Sequence, residues 1–141
     1  MPDLPRARGV LDTSVVIDLE RVALDQLPAE LAISTVTLAE LAAGPHATSD
    51  PVERARRQDR LQRVEATFDP LPVDPATARA YGRVYAAVAA AGRRAPGRRA
   101  FDLLIAATAL GAGLPLYTRN PNDFAGLDAL LDVVAVETTG A

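Results

Sequence analysis

Cysteine is absent from the 141 residues, and disulfides, thiolate nucleophiles and Cys-based zinc sites are excluded with it. Lysine is absent too, since all 15 basic residues are arginine. That excludes a P-loop lysine, a Schiff base and the lysine of a phospho-acceptor receiver domain. The one histidine, His46, stands beside Pro45 in a predicted loop, where an imidazole is ordinarily just solvated. Ser-His-Asp catalysis and a His-rich metal site therefore have little to draw on. No apolar run approaches the roughly 18 residues of a membrane span, and the N-terminus lacks a signal-peptide pattern. A cytoplasmic protein is expected. What remains as chemical vocabulary is carboxylates, hydroxyls and guanidiniums.

The length predicts one domain with a core of its own, and a hydrophobic content of 49% predicts a globular fold. A net charge of −3 means that any contact with nucleic acid needs local basic patches.

Strand and helix patterns alternate along the chain. The stretch GVLDTSVVIDLE ends a strand over 8–12 on the carboxylate of Asp12, and a helix follows over 14–20 with Val15, Val16 and Leu19 on one face. A second strand is predicted over 31–34 and a short helix closed by Gly44-Pro45. Asp50, Pro51 and Glu53 read as a capping box opening a long helix, with Leu61, Val64 and Phe68 on one side and Arg56, Arg60 and Arg63 on another. A short strand at 71–73 precedes a second cap-plus-proline start at Asp74-Pro75. There Tyr81, Val84, Tyr85 and Val88 form an i, i+3, i+4, i+7 stripe that ends at Gly92. Residues 101–110 read as a buried helix, 114–118 and 133–136 as strands, and 121–124 as a helical turn. Such alternation predicts an α/β fold with a parallel-rich sheet and helices on both faces.

In open α/β sheets, ligands bind outside the carboxyl ends of the strands. Asp12 ends the first strand, Glu40 lies in the helix after the second, Asp102 opens the buried helix, and Asn120 and Asp123 follow the strand ending at Thr118. Each acid also has a local reading. Asp12 can cap its helix, Glu40 can complete a capping box with Thr37, Asp102 can meet the positive end of its helix, and Asp123, three residues after Asn120 with Pro121 between, can belong to a capping arrangement. If the four converge, two like charges about 4 Å apart cost roughly 1–4 kcal/mol, depending on screening. Four together must raise their pKa values or take up a cation. Hard oxygen ligands with open water positions suit Mg²⁺ or Mn²⁺, and such an ion serves phosphoester hydrolysis.

The segments VLDTSVVI, ISTVTLAELAAG, FDLLIAATAL and LPLYTRNPNDF, taken in order, resemble the PIN-domain ribonucleases, specifically the VapC-type toxins of bacterial type II toxin–antitoxin pairs. The acids are spaced by 28, 62 and 21 residues, and the resemblance runs from about Gly9 to Val136. It implies a PIN-like three-layer α/β/α sandwich with a mainly parallel central sheet, forming a single domain over 1–141. It also implies a Mg²⁺-dependent endoribonuclease, with Mn²⁺ as an alternative ion, that hydrolyses RNA by metal-activated water in a pocket of Asp12, Glu40, Asp102 and Asp123. Asp12 and Asp102 would be the metal ligands, Thr13 and Ser14 would hydrogen-bond in the pocket, and Asn120 would assist as a neutral amide. A cognate antitoxin is implied as partner, its C-terminal segment lying over the toxin; apolar residues of the first two helices such as Val15, Val16, Leu19, Leu38 and Leu41 either contribute to that groove or belong to the core. Homodimers are common in the family.

An acidic pocket repels phosphates, so RNA would be held from the rim. Arg93, Arg94, Arg98 and Arg99 fall within seven residues just before Asp102 and are candidates for a phosphate clamp, or a solvated loop. With aromatic residues at 4%, base stacking is a minor resource. The alternatives are a non-catalytic PIN-like module that binds RNA or is sequestered by an antitoxin, and a haloacid-dehalogenase-type phosphatase. The last needs a second Asp where Ser14 stands, and a lysine.

Overall fold

A computed structural model of the chain describes residues 7–92 and 98–139, with Arg98 described by its backbone alone. Four strands, β1 (Arg8–Leu11), β2 (Glu30–Ala32), β3 (Leu116–Thr118) and β4 (Val133–Ala135), form one sheet in the order β2-β1-β3-β4. Every pairing is parallel. Among the described residues the α-helices are α1 (Thr13–Ile17), α2 (Thr35–Ala43), α3 (Pro51–Thr67), α4 (Pro75–Ala90) and α5 (Arg98–Ala112).

Period-2 alternation along the strands divides the core into two. Val10, Ala32, Leu116 and Val133 point to a cluster completed by Ala80, Val84 and Val88 of α4 and Leu103, Ile105, Ala106 and Ala107 of α5. Leu11, Leu31, Tyr117 and Val134 point the other way, to Val15 and Val16 of α1 and Val64 of α3. The expected three-layer sandwich with a parallel central sheet is the result. Parallel neighbours need crossover connections. Between β2 and β3 the chain spends α2 to α5 on that crossing, which carries β3 to the far side of β1.

Several elements differ from expectation for identifiable reasons. The first helix stops at Ile17 and continues as a 3-10 turn over Leu19–Arg21. The second strand ends at Ala32, because Ser34 turns out of it to cap α2 by accepting the Thr37 amide hydrogen at 3.0 Å. Leu71 makes a single bridge to Ser34 rather than a strand. The capping box at Asp50 is half formed. Asp50 accepts from Val52, but its own N–H goes to the Thr48 hydroxyl at 3.2 Å and Glu53 instead pairs with Arg56 and Arg57. On α4 the buried line is Thr77, Ala80, Val84 and Val88, while Tyr85 is left half exposed. Small residues on that line let α4 approach α5 closely, and a Cβ at Gly111 would already lie 3.4 Å from the Thr77 backbone. Phe101, in the stretch expected to be buried, is half exposed.

Gly9 is required by packing. A Cβ there would collide with the Tyr117 ring, 2.8 Å from Cδ1, and lie 3.2 Å from Pro28 Cγ. Gly9→Ala should cost about 1–3 kcal/mol of unfolding free energy by denaturant titration, the usual range for an overpacked core. Combining it with Tyr117→Val should cost less than the sum of the two, because the second change removes the ring that the first meets.

Candidate active site

In this sheet β1 has β2 on one side and β3 on the other, so the connections leave β1 in opposite directions and open a crevice at the carboxyl ends of β1 and β3. A pocket of about 580 Å³ lies there, lined by Asp12, Thr13, Ser14, Ile17, Glu40, Arg99, Asp102, Asn120 and Asp123. All four acids expected from the sequence, the two hydroxyls after Asp12 and the amide of Asn120 are thus brought to one place.

Asp12 is 5% exposed and held by three donors. Its Oδ1 accepts the Thr13 amide hydrogen at 2.9 Å, capping α1, and its Oδ2 accepts the hydroxyls of Ser14 and Thr118, each at 2.8 Å. Those two hydroxyls are themselves aimed by backbone: Arg119 N–H donates to Ser14 Oγ at 3.1 Å and Asn120 N–H to Thr118 Oγ1 at 3.0 Å. A carboxylate offers about four acceptor positions. Three are filled here, and the remaining one is on Oδ1. Burial raises the Asp12 pKa, the hydrogen bonds oppose that rise, and the nearby Asp123 charge adds to it.

Glu40 lies mid-helix in α2, and the cap there is Ser34, so Glu40 is not the far half of a capping box. Its Oε1 accepts the Thr13 hydroxyl at 2.8 Å; the same hydroxyl lies 3.0 Å from Thr37 Oγ1. Asp102, on the second turn of α5, has its carboxyl pushed up to about 6. Burial is the main cause, followed by the charges of Asp12, Asp123 and Glu40, while Arg99 pulls the other way. Asp123 sits in a 3-10 turn over Pro121–Phe124, and the Asn120 side chain makes no capping bond to that turn.

Of the arginines expected at the rim, Arg99 lines the pocket and donates from Nη1 to the Asp123 carbonyl at 3.0 Å. Arg93 and Arg94 lie outside the described residues, as does the Arg98 side chain. Sequence reasoning missed Thr118, which reads as an ordinary β-branched strand residue. Its signal was position: the last residue of a strand beside the one that carries Asp12.

The model for the family described as PIN domain matches residues 9–130. The chain belongs to the PIN-domain family. Ribonuclease VapC5 of Mycobacterium tuberculosis is 42% identical to this PIN domain over 130 residues, spanning 90% of this chain and 93% of that protein. Ribonuclease VapC4 of the same organism is 35% identical over 123 residues, covering 85% and 91% respectively. Among solved structures, VapBC-5 from M. tuberculosis, of the VapBC family of toxin–antitoxin systems, matches with a TM-score of 0.81 at 39% identity, over 92% of this chain and 99% of that one. FitAcB from Neisseria gonorrhoeae matches with a TM-score of 0.70 at 26% identity, over 89% and 95%. These likenesses make it a VapC-type PIN domain. Among the described residues no helix is long and apolar enough to cross a membrane.

The donor set fits a hard cation loosely held. Among the described residues no three His, Cys, Asp or Glu groups are drawn into a ready-made metal cage. The acids instead wall an open pocket, where burial first and the neighbouring acids second raise the Asp102 carboxyl. Mg²⁺ takes one or two carboxylates and keeps several waters, so an open acidic wall suits it better than a closed cage would.

Two outcomes follow from this geometry. Thr118→Val removes one of the donors to a buried carboxylate and should cost about 1–3 kcal/mol of stability, read by denaturant titration, with Thr118→Ser recovering most of it. Asp102 should also leave a pH signature in metal-free protein. The folded state binds its proton more tightly than the unfolded chain, whose carboxyl has the model value 3.8. Its contribution to stability is therefore greatest below about pH 4, declines as pH rises, and is fully lost above about 6. Asp102→Asn should melt higher than the parent at pH 7, and the gap should narrow as pH falls through that window. A gap constant from pH 7 to 4 would contradict the assignment.

Proposed function

We propose that this chain is the toxin of a type II toxin–antitoxin pair, a metal-dependent endoribonuclease that hydrolyses RNA phosphodiester bonds in the pocket of Asp12, Glu40, Asp102 and Asp123. The observation that carries the reading is the convergence of four acids from four separate segments at the sheet's switch point. The relatives named ribonucleases and the neighbours solved as toxin–antitoxin complexes support it.

Asp12, through its remaining Oδ1 position, and Asp102 would hold Mg²⁺ or, alternatively, Mn²⁺. When bound, the ion would supply water activation and offset the charge of the phosphate. The chain's own residues do the rest. Ser14 and Thr118 hold the Asp12 carboxylate in one orientation. The Thr13 hydroxyl donates a hydrogen bond to Glu40 Oε1 and so orients that carboxylate. Arg99 brings a guanidinium to the acidic wall, where it meets phosphate charge.

The cognate antitoxin is proposed to lie over a groove of about 520 Å³ between α1, β2 and α3, walled by Val16, Leu19, Leu31, Val64 and Phe68 with Arg56, Arg60 and Arg63 at its rim. Val15, expected in such a groove, is fully buried in the core, and Leu41 is buried beside a neighbouring cavity.

Purified, partner-free protein should cut total cellular RNA into discrete fragments with Mg²⁺ or Mn²⁺. EDTA should abolish cleavage. Asp12→Asn should slow it by at least about 100-fold, since losing a group that merely supports a metal ligand already costs of order 10–100-fold. Intact RNA from protein that binds the ion would favour a non-catalytic module instead.

A further inference from the structure

A cavity of about 390 Å³ adjoins the acidic pocket and shares Thr13, Ile17 and Glu40 with it. Its outer wall is α3, which contributes Arg57 and Arg60, and its floor includes Leu41 and Gly44. Among the described residues, other arginines are committed. Arg57 donates to the Gly44 carbonyl at 2.9 Å and pairs with Glu53; Arg99 donates to the Asp123 carbonyl; Arg119 pairs with Asp18. Around Arg60 on the same helix, Arg56 and Arg63 are also held by carboxylates. Arg60 is half buried, yet among the described residues its guanidinium makes no hydrogen bond or ion pair. That leaves its donors available to an anion entering the cavity.

We propose that this cavity is a subsite for the RNA nucleotide next to the cleavage position, with the Arg60 guanidinium on its phosphate and Ile17 against its base. The proposal rests on the nuclease reading above. Ile17 is 43% exposed, a large apolar side chain at the join between pocket and cavity. A base supplies a flat face for such a residue, and an RNA backbone supplies an anion one nucleotide along from the bond being cut. Arg60 and Ile17 also line the groove assigned above to the antitoxin, so RNA and antitoxin would compete for them, and the opening of this cavity onto the acids is what favours RNA here. A strand whose phosphate lies at Asp12 and Asp102 must leave along some path, and this one carries an unpaired guanidinium.

The test is fluorescence anisotropy of a 5′-labelled, single-stranded, mixed-sequence RNA 20-mer in Mg²⁺ buffer, with Asp12→Asn protein so that the probe stays whole. Adding Arg60→Gln should weaken Kd by about 10-fold, in line with loss of one charge-assisted contact, and reduce the slope of log Kd against log salt by about 0.7. Arg60→Lys should fall between. Arg83→Gln, the same charge change on the exposed face of α4, should leave Kd within about 2-fold. With Asp12 intact, Arg60→Gln should raise KM for RNA cleavage and leave kcat nearly unchanged. An Arg60→Gln affinity within 2-fold of the parent overturns the subsite, as does loss of antitoxin binding with RNA binding preserved. Absence of RNA binding by the parent also overturns it. Cleavage by the wild-type protein, run alongside, reports on the nuclease reading separately.

Discussion

A carboxylate taken out of water is tolerated only if donors replace the water it lost, and the acidic end of this sheet is organised around meeting that condition for Asp12. The donors come from both sides. Thr13 and Ser14 follow Asp12 in the chain, whereas Thr118 arrives from a strand 106 residues away. The arrangement needs β3 beside β1, which in turn needs the long crossover through four helices. Those helices bring Glu40 and Asp102 with them.

The remaining charges fall into a gradient of solvation. Asp12 is buried and hydrogen-bonded, while Asp102 is less buried and raised by its acidic neighbours as well as by desolvation. Arg99 stands against them, tied to the Asp123 backbone instead of closing a full ion pair with one acid. The pocket keeps negative charge unneutralised at some cost to the fold, a trade expected where charge is needed for chemistry.

The acids were legible in the sequence because charged residues at strand ends and inside apolar helices interrupt patterns that are otherwise simple. Asp12 interrupts an apolar strand-helix run and Asp102 sits among Phe101, Leu103 and Leu104. The layer order was legible for the same reason, as period-2 strands alternate with helical spacing. Local hydrogen-bond competition was not. Glu40 and Glu53 both fit a capping pattern, yet Ser34 takes one cap and Thr48 satisfies the amide that the other would need. Thr118 and Arg60 were missed because their significance lies in what is across the fold from them. A threonine ending a strand and an arginine in an arginine-rich helix are unremarkable in one dimension. Phe101 shows the converse, an apolar residue in an apolar helix that the packing leaves at the surface.

Because the end of β3 supplies both a hydroxyl to Asp12 and the amides that aim Ser14 and Thr118, the order in which the chain emerges during synthesis acquires meaning. The first hundred or so residues contain Asp12, Glu40 and Asp102 but not the latch that orients Asp12. Beyond β3, Val136 still donates to Thr118 and Thr139 to Arg21, securing the strand only when the C-terminal segment is in place. A partly made chain on the ribosome therefore carries most of the acids without an assembled site. The pocket takes its final form only once β3 and the segment through Thr139 have left the ribosome.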